Sequence, residues 1–228
     1  MKYFVDAGHG GNDSGAVNGS ILEKNINKLV GDRVVYHLKR HNQNVVITRN
    51  NDDTVSLDER VNIINKSGCD LGISIHCNSF TDKTVMGLET YTWSTGAREK
   101  LLAEKVHKSV KSAKLYNKDR GIKQAQFRIL SPSIPCILIE LGFISNDKEK
   151  DFILNNIENF AIAITKGLLG FYDMTYINEK NVTVEPVKPI EKNCTYFVQV
   201  GAYKVYSNAV DMKNQLIKQG FPAIIKEG

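Results

Sequence analysis

Residues 71–76 read LGISIH and residues 136–140 read CILIE. Each is a short, largely apolar run that stops at a side chain able to bind a metal or move a proton. An apolar run of this length, with no alternation of polar residues, is the pattern of a strand covered on both faces. KYFVD (2–6) opens the chain in the same way and breaks at Gly8, Gly10 and Gly11. Between and beyond these runs the period changes. Leu22, Ile26, Leu29, Val30, Val34, His37 and Leu38 recur at helical spacing, and NVVIT (44–48) follows as a strand. A helix over 56–66 carries Leu57, Val61 and Ile64 on one face, LETYT (88–92) is a further strand, and a helix over 97–112 rests on Leu101, Leu102, Val106 and Val110. One last helix over 147–172 turns Phe152, Ile153, Ile157, Phe160, Ala161, Ile164 and Leu168 inward. Apolar strands alternating with amphipathic helices predict an α/β fold, a twisted, mostly parallel sheet with helices on both faces.

The pattern changes after residue 175. NEKNVTVEPVKPIEKN (178–193) has no helical period and holds Pro186 and Pro189, which reads as a linker over 176–194. TYFVQVGAY (195–203), SNAVDMKNQLIKQ (207–219) and PAIIKEG (222–228) then predict a small C-terminal βαβ segment. Three parts follow: 1–175, a linker, and 195–228.

Composition narrows the function classes. The 228 residues are 42% hydrophobic and 24% charged, which is the globular range. A net charge of +5 is too mild to argue for nucleic acid. No apolar run approaches the length of a membrane span, and the N-terminus enters a strand rather than an apolar signal segment, so no export address is expected. Cys69, Cys77, Cys136 and Cys194 form no Cys-x-x-Cys pair and read as buried thiols.

Chemistry-bearing groups in open α/β sheets gather beyond the carboxyl ends of strands. His9 lies three residues past KYFVD, His76 directly follows LGISI, Glu140 directly follows CILI, and Glu23 lies near the start of the first long helix, just after the loop that carries His9. Each has an ordinary alternative. Glu23 follows Ser20 by three residues, the spacing of a capping box. His9 suits a glycine turn and His76 a satisfied strand end. Glu140 is hardest to treat as ordinary, because a carboxylate between Ile137-Leu138-Ile139 and Leu141-Gly142-Phe143 needs a partner. Together, two histidines and one carboxylate leave a position open for water, as in a catalytic zinc site, and a further glutamate supplies the base. Such a set hydrolyses an amide or an ester.

The ordered series Asp6-Ala7-Gly8-His9-Gly10-Gly11, Glu23-Lys24, Thr48-Arg49, Leu57-x-x-Arg60, Ser74-Ile75-His76-Cys77-Asn78-Ser79, Gly87-Leu88-Glu89-Thr90, Arg120-Gly121 with Lys123, and Ile139-Glu140-Leu141-Gly142-Phe143-Ile144-Ser145-Asn146 resembles the zinc-dependent N-acetylmuramoyl-L-alanine amidases of the type-3 family over residues 1–172. The resemblance implies Zn²⁺ held by His9, Glu23 and His76, Glu140 as catalytic acid and base, and Asn78 as a substrate contact. It implies cleavage of the amide between muramic acid and L-alanine in peptidoglycan, acting on the bacterial cell wall after release. A zinc peptidase of the stem, or a non-catalytic wall-binding protein, are the alternatives. The family usually has proline at Ala7 and a small residue at Cys77, whose side chain strand alternation points away from the side used by His76. Only eight residues separate Asn78 from Gly87, too few for the helix that blocks the zinc in some members. Residues 195–226 resemble the first half of a sporulation-related (SPOR) repeat, a family that binds glycan strands stripped of their peptides. A lone half exposes unpaired strand edges, so either the tail is a truncated repeat or two chains share one repeat as a homodimer.

Overall fold

The computed structural model describes residues 1–178, together with 209, 210, 212, 213 and 225. Its elements, in chain order, are β1 (Lys2–Ala7), β2 (Val17–Asn18), β3 (Ile21–Leu22), α1 (Glu23–Arg40), β4 (Asn44–Ile47), α2 (Leu57–Ser67), β5 (Leu71–Asn78), β6 (Leu88–Thr92), α3 (Ala97–Ser112), β7 (Asp119–Gln124), a 3₁₀ turn (Arg128–Leu130), β8 (Cys136–Phe143), α4 (Asp147–Asn155) and α5 (Ile157–Gly170). Six strands form one sheet in the order β4-β1-β5-β8-β6-β7. The pairs β4–β1, β1–β5, β5–β8 and β6–β7 are parallel, and β8–β6 is antiparallel. This is the mostly parallel α/β sheet that the apolar strands predict.

Alternation along the strands divides the core in two. Tyr3, Val5, Ile73, Ile75, Cys77, Ile137 and Ile139 join Ile26, Val30, Val34, Val106, Phe160 and Ile164 in the larger cluster, under α1, α3 and α5. Phe4, Cys136 and Leu138 face the other way and pack with Ile64, Ile129 and Leu130 in a smaller cluster. Covering is therefore lopsided: three long helices close one face, while the other has α2 and the 3₁₀ turn. His76 and Glu140 alternate onto the thinly covered face.

Several elements differ from expectation. The helix expected over 147–172 is two helices. Asn156, at φ −126° and ψ 20°, breaks it, and its side-chain amide donates to Phe152 O at 2.8 Å. An asparagine that bonds nearby backbone competes with the helix ladder. β5 does not end at His76, nor β8 at Glu140; the strands run on through Asn78 and Phe143 with a register irregularity between His76 and Asn78. Leu29, Leu57 and Leu101, placed by period on inward faces, are exposed. β7 (DRGIKQ) has no apolar alternation because it is the sheet's edge. Cys69, Cys77 and Cys136 are buried free thiols.

The C-terminal part of the chain divides from the rest as Val182–Gly228, against Met1–Asn181. Ala209, Val210, Met212 and Lys213 are helical. The remaining residues behind the linker, half-repeat and homodimer expectations lie outside the described ones. Packed chain extends past residue 175: Tyr176 Oη meets His37 Nδ1 at 3.0 Å, and Ile177 N–H donates to His41 Nε2 at 2.8 Å.

Glu149 ties the fold's carboxyl end together. Its carboxylate, 1% exposed, accepts from Phe143 N at 2.7 Å and from Gly87 N at 2.9 Å, joining α4, the end of β8 and the entry to β6. Asn146 caps α4 by accepting from Glu149 N. Removing the carboxylate strands two buried N–H donors. Glu149→Ala is expected to lower the unfolding free energy by about 2–4 kcal/mol, read from the denaturant midpoint at unchanged slope.

Candidate metal centre and cleft

The loop after β1 carries His9 in a left-handed conformation, φ 62°, which costs energy for a residue with a Cβ. Two buried arginines hold it. Arg60 donates from Nη2 to His9 O at 2.6 Å and from Nη1 to Ala7 O at 2.9 Å. Arg49 donates from Nε to Ala7 O at 2.9 Å and from Nη2 to Lys24 O at 2.7 Å. The charge on Arg60 is balanced by Asp6, 2.6 Å away, with the pair 3% and 1% exposed. Asp6 also accepts from the hydroxyls of Ser74 and Thr48. Burial works to raise the Asp6 carboxyl, but Arg60 and the two hydroxyls outweigh it and hold it below the ordinary carboxylate range.

Glu23 enters as the first residue of α1. The capping box with Ser20 does not form: the helix's first residues are bonded by loop carbonyls instead, Glu23 N to Ala16 O at 2.9 Å and Lys24 N to Ser14 O at 3.1 Å. A capping box does form elsewhere, between Ser56 and Glu59 at the start of α2. The freed Glu23 carboxylate turns to the end of the sheet. Oε2 accepts from Ala16 N, and Oε1 from Cys77 N and Asn27 Nδ2. Oε1 also lies 3.1 Å from His9 Nε2 and 3.0 Å from His76 Nδ1.

One ligand atom each from His9, Glu23 and His76 thus falls within 4.8 Å of the others. The imidazoles stand at 78° with centroids 4.9 Å apart. Small residues allow this crowding. A Cβ on Gly8 would come within 2.2 Å of the His76 ring, and one on Gly15, at φ +63°, within 2.5 Å of Glu23 Oε2. Asp13 completes the arrangement, its Oδ2 2.8 Å from His9 Nδ1 and its Oδ1 accepting from Gly15 N. A carboxylate on one ring nitrogen places the proton there and leaves the lone pair on the other. The Nε2 lone pair of His9 then faces a carboxylate oxygen, a repulsive contact unless a proton or a cation lies between. Two imidazoles and a carboxylate suit zinc among biological cations, so these residues fit the metal the sequence implies.

Charge perturbations have the same origin. Burial lowers His9, yet Glu23 and Asp13 outweigh it and push it up to about 9. Burial raises Glu23, and the two histidines bring it far below its usual value. Glu140 is opposite: burial dominates and pushes it up to about 7. It stands level with His76 across β5–β8, and its Oε2 is buried without a hydrogen-bond partner.

His9, Glu23, His76 and Glu140 therefore meet. Asn78 is engaged inside the protein, its Nδ2 donating to Glu89 Oε2 at 3.1 Å and its Oδ1 accepting from Ser79 N at 2.8 Å. Residue chemistry alone did not single out Glu89. It is 2% exposed, pairs in register with Glu140 across β6–β8, and is bonded by Lys123 at 2.6 Å, Tyr91 Oη at 2.6 Å and Arg120. Asp13 lies outside the quoted motifs, its available signal being the His9-x-x-x-Asp13 spacing, whereas Arg49 and Arg60 stand in those motifs without a role that residue chemistry assigns. A cleft of about 430 Å³ opens beside His9, His76 and Glu140, with Val55, Leu57, Phe127 and Leu138 on its apolar side.

Two outcomes are expected. Asp13→Ala should weaken metal binding by about 10–100-fold in a chelator competition. The native Asp6 carboxyl is depressed, so its stabilisation is present above the unfolded value of about 3.9 and is lost as pH falls through the native one. Asp6→Asn, which strands Arg60, should cost about 3–5 kcal/mol at neutral pH, and its deficit against wild type should shrink below about pH 4 in acid titrations of stability.

Comparison with known proteins finds related amidases. Over 231 residues the chain is 30% identical to the sporulation-specific N-acetylmuramoyl-L-alanine amidase of Bacillus subtilis (strain 168), covering 99% of this chain and 84% of that one. It is 36% identical over 174 residues to the amidase LytC of the same organism, covering 74% of this chain and 35% of that longer protein. The catalytic domain of CwlV, an N-acetylmuramoyl-L-alanine amidase from Paenibacillus polymyxa var. colistinus, superposes with a TM-score of 0.72 at 30% identity, covering 76% of this chain and 99% of that one. The Amidase_3 model, described as N-acetylmuramoyl-L-alanine amidase, matches residues 4–169, and the chain belongs to that family.

Proposed function

We propose that this chain hydrolyses the amide between the lactyl group of muramic acid and L-alanine of the peptidoglycan stem, with zinc held by His9, Glu23 and His76. The observation that carries the reading is the buried, unpartnered Oε2 of Glu140 beside a convergent His–Glu–His set. Zinc held by these three residues would supply Lewis acidity for the amide carbonyl and for the attacking water. Burial pushes the Glu140 carboxyl up from the ordinary carboxylate range, the direction that suits a general base working near neutral pH. Its carboxylate takes the proton of the attacking water and returns it to the leaving nitrogen of L-alanine. Asp13 orients the His9 ring, and Arg60 fixes the backbone that carries it.

The activity is that of a cell-wall hydrolase, and no helix among the described residues is long and apolar enough to cross a membrane. Binding of denuded glycan strands through the C-terminal segment is part of the proposal, with a homodimer that shares one repeat standing as the alternative to a truncated repeat. They rest on the resemblance of residues 195–226 to a half repeat.

Glu140→Gln keeps the size of the side chain and removes its basicity. It should lower wall hydrolysis by about 10²–10⁴-fold with zinc content near that of the parent. Chelation should abolish turnover and added zinc restore it. Near-parental lysis by the variant, or full activity after chelation, refutes the mechanism; release of free stem fragments with the muramoyl–alanine amide intact refutes the bond assignment.

A further inference from the structure

Two permanent cations line the cleft, and they are bound differently. Arg60 is 3% exposed, with Nε donating to Val55 O and both terminal nitrogens committed to Asp6 and the His9 loop. Arg128, in the 3₁₀ turn between β7 and β8, has a side chain 47% exposed at the rim. Its Nε donates to Asp58 Oδ1 at 2.7 Å and its Nη1 to Ser131 Oγ. These bonds orient the guanidinium plane and leave Nη2 to a ligand. Phe127, beside it, is also exposed and rests edge-on against Tyr91, with centroids 5.1 Å apart.

The substrate's chemistry says what an oriented rim cation meets. A glycan strand whose lactyl carboxyls are all in amide linkage carries no charge. The anionic groups lie on the stem, and the first after L-alanine is the α-carboxyl of the γ-linked D-glutamate. That carboxyl sits about one residue, roughly 3.5 Å of chain, beyond the alanine. In some walls it is a free carboxylate, and in others it is amidated to isoglutamine. A guanidinium N–H such as that of Nη2 makes a charge-assisted bond to a carboxylate and gains little from a neutral amide.

We propose that Arg128 recognises the free α-carboxylate of the second stem residue, so that the enzyme prefers isoglutamate stems over amidated ones. The assignment rests on the amidase reading above. It also sets the direction in which substrate lies, stem toward Arg128 and glycan away from it.

The test uses zinc-loaded full chain and two soluble muropeptides that differ only in isoglutamate or isoglutamine at that position. Wild type should favour the carboxylate by about tenfold in kcat/KM, expressed in KM, as expected for one charge-assisted contact at an exposed rim. Arg128→Ala should lower the carboxylate rate to that of the amide and leave the amide rate unchanged. Arg128→Lys, with charge but no fork, should keep part of the preference. Equal wild-type rates overturn the proposal, as does an alanine variant that retains the preference or slows both substrates alike, the mark of a packing role for the Asp58 and Ser131 contacts. If wild type cleaves neither compound at the muramoyl–alanine amide, the proposed reaction fails. A binding titration of the same two compounds then decides the Arg128 assignment separately, tighter carboxylate binding supporting it and equal affinity overturning it.

Discussion

Arg60 and Asp6 meet at 2.6 Å, both almost fully buried at the floor of the cleft, and the geometry of the candidate metal centre hangs on that pair. A buried guanidinium is tolerated when its charge is balanced and its N–H groups are satisfied. Here the balance comes from β1, and the remaining donors reach the carbonyls of Ala7 and His9. The electrostatic need of one buried cation thereby fixes the loop that presents the first histidine. Removing either partner disturbs the site through the backbone, without touching a ligand atom.

The lopsided sheet completes the arrangement. Three long helices bury one face, so the other can remain thinly covered without exposing the main core. His76 and Glu140 sit level on neighbouring parallel strands, which sets their spacing by the sheet itself rather than by a loop. Glu89 lies level with Glu140 on the next strand, neutralised by Arg120 and Lys123. Of these two neighbouring carboxylates, one is paired and ionised and the other is desolvated and raised, a contrast set by environment alone.

Much of this was legible in the chain. LGISI and CILI are short, largely apolar runs that suit buried strands, and a carboxylate or imidazole beside such a run is either costly or functional. The elements that were missed had no such pattern. β7 is an edge strand of charged and small residues, and the break at Asn156 depends on one side chain competing for backbone. The Ser20–Glu23 spacing suggested a cap, yet the loop carbonyls of Ser14 and Ala16 met the helix N-terminus first and released Glu23 to the centre.

The sequence by itself determined the alternation of buried strands with amphipathic helices, and it put four chemistry-capable residues, His9, Glu23, His76 and Glu140, near the ends of those elements, because periodicity and the cost of burying polar groups are local properties of the chain. Tertiary structure alone decided that His9 and His76 converge on a single oxygen of Glu23, that Asp13 orients His9, that Glu140 lacks a partner for Oε2, and that Asn78 turns to Glu89. Apart from the His9–Asp13 and Asn78–Glu89 contacts, 4 and 11 residues apart, those outcomes depend on strand register and on contacts between separate segments, such as Glu23 with His76, 53 residues apart. No local pattern encodes them, since register is set by the packing of whole faces and not by any one stretch of chain.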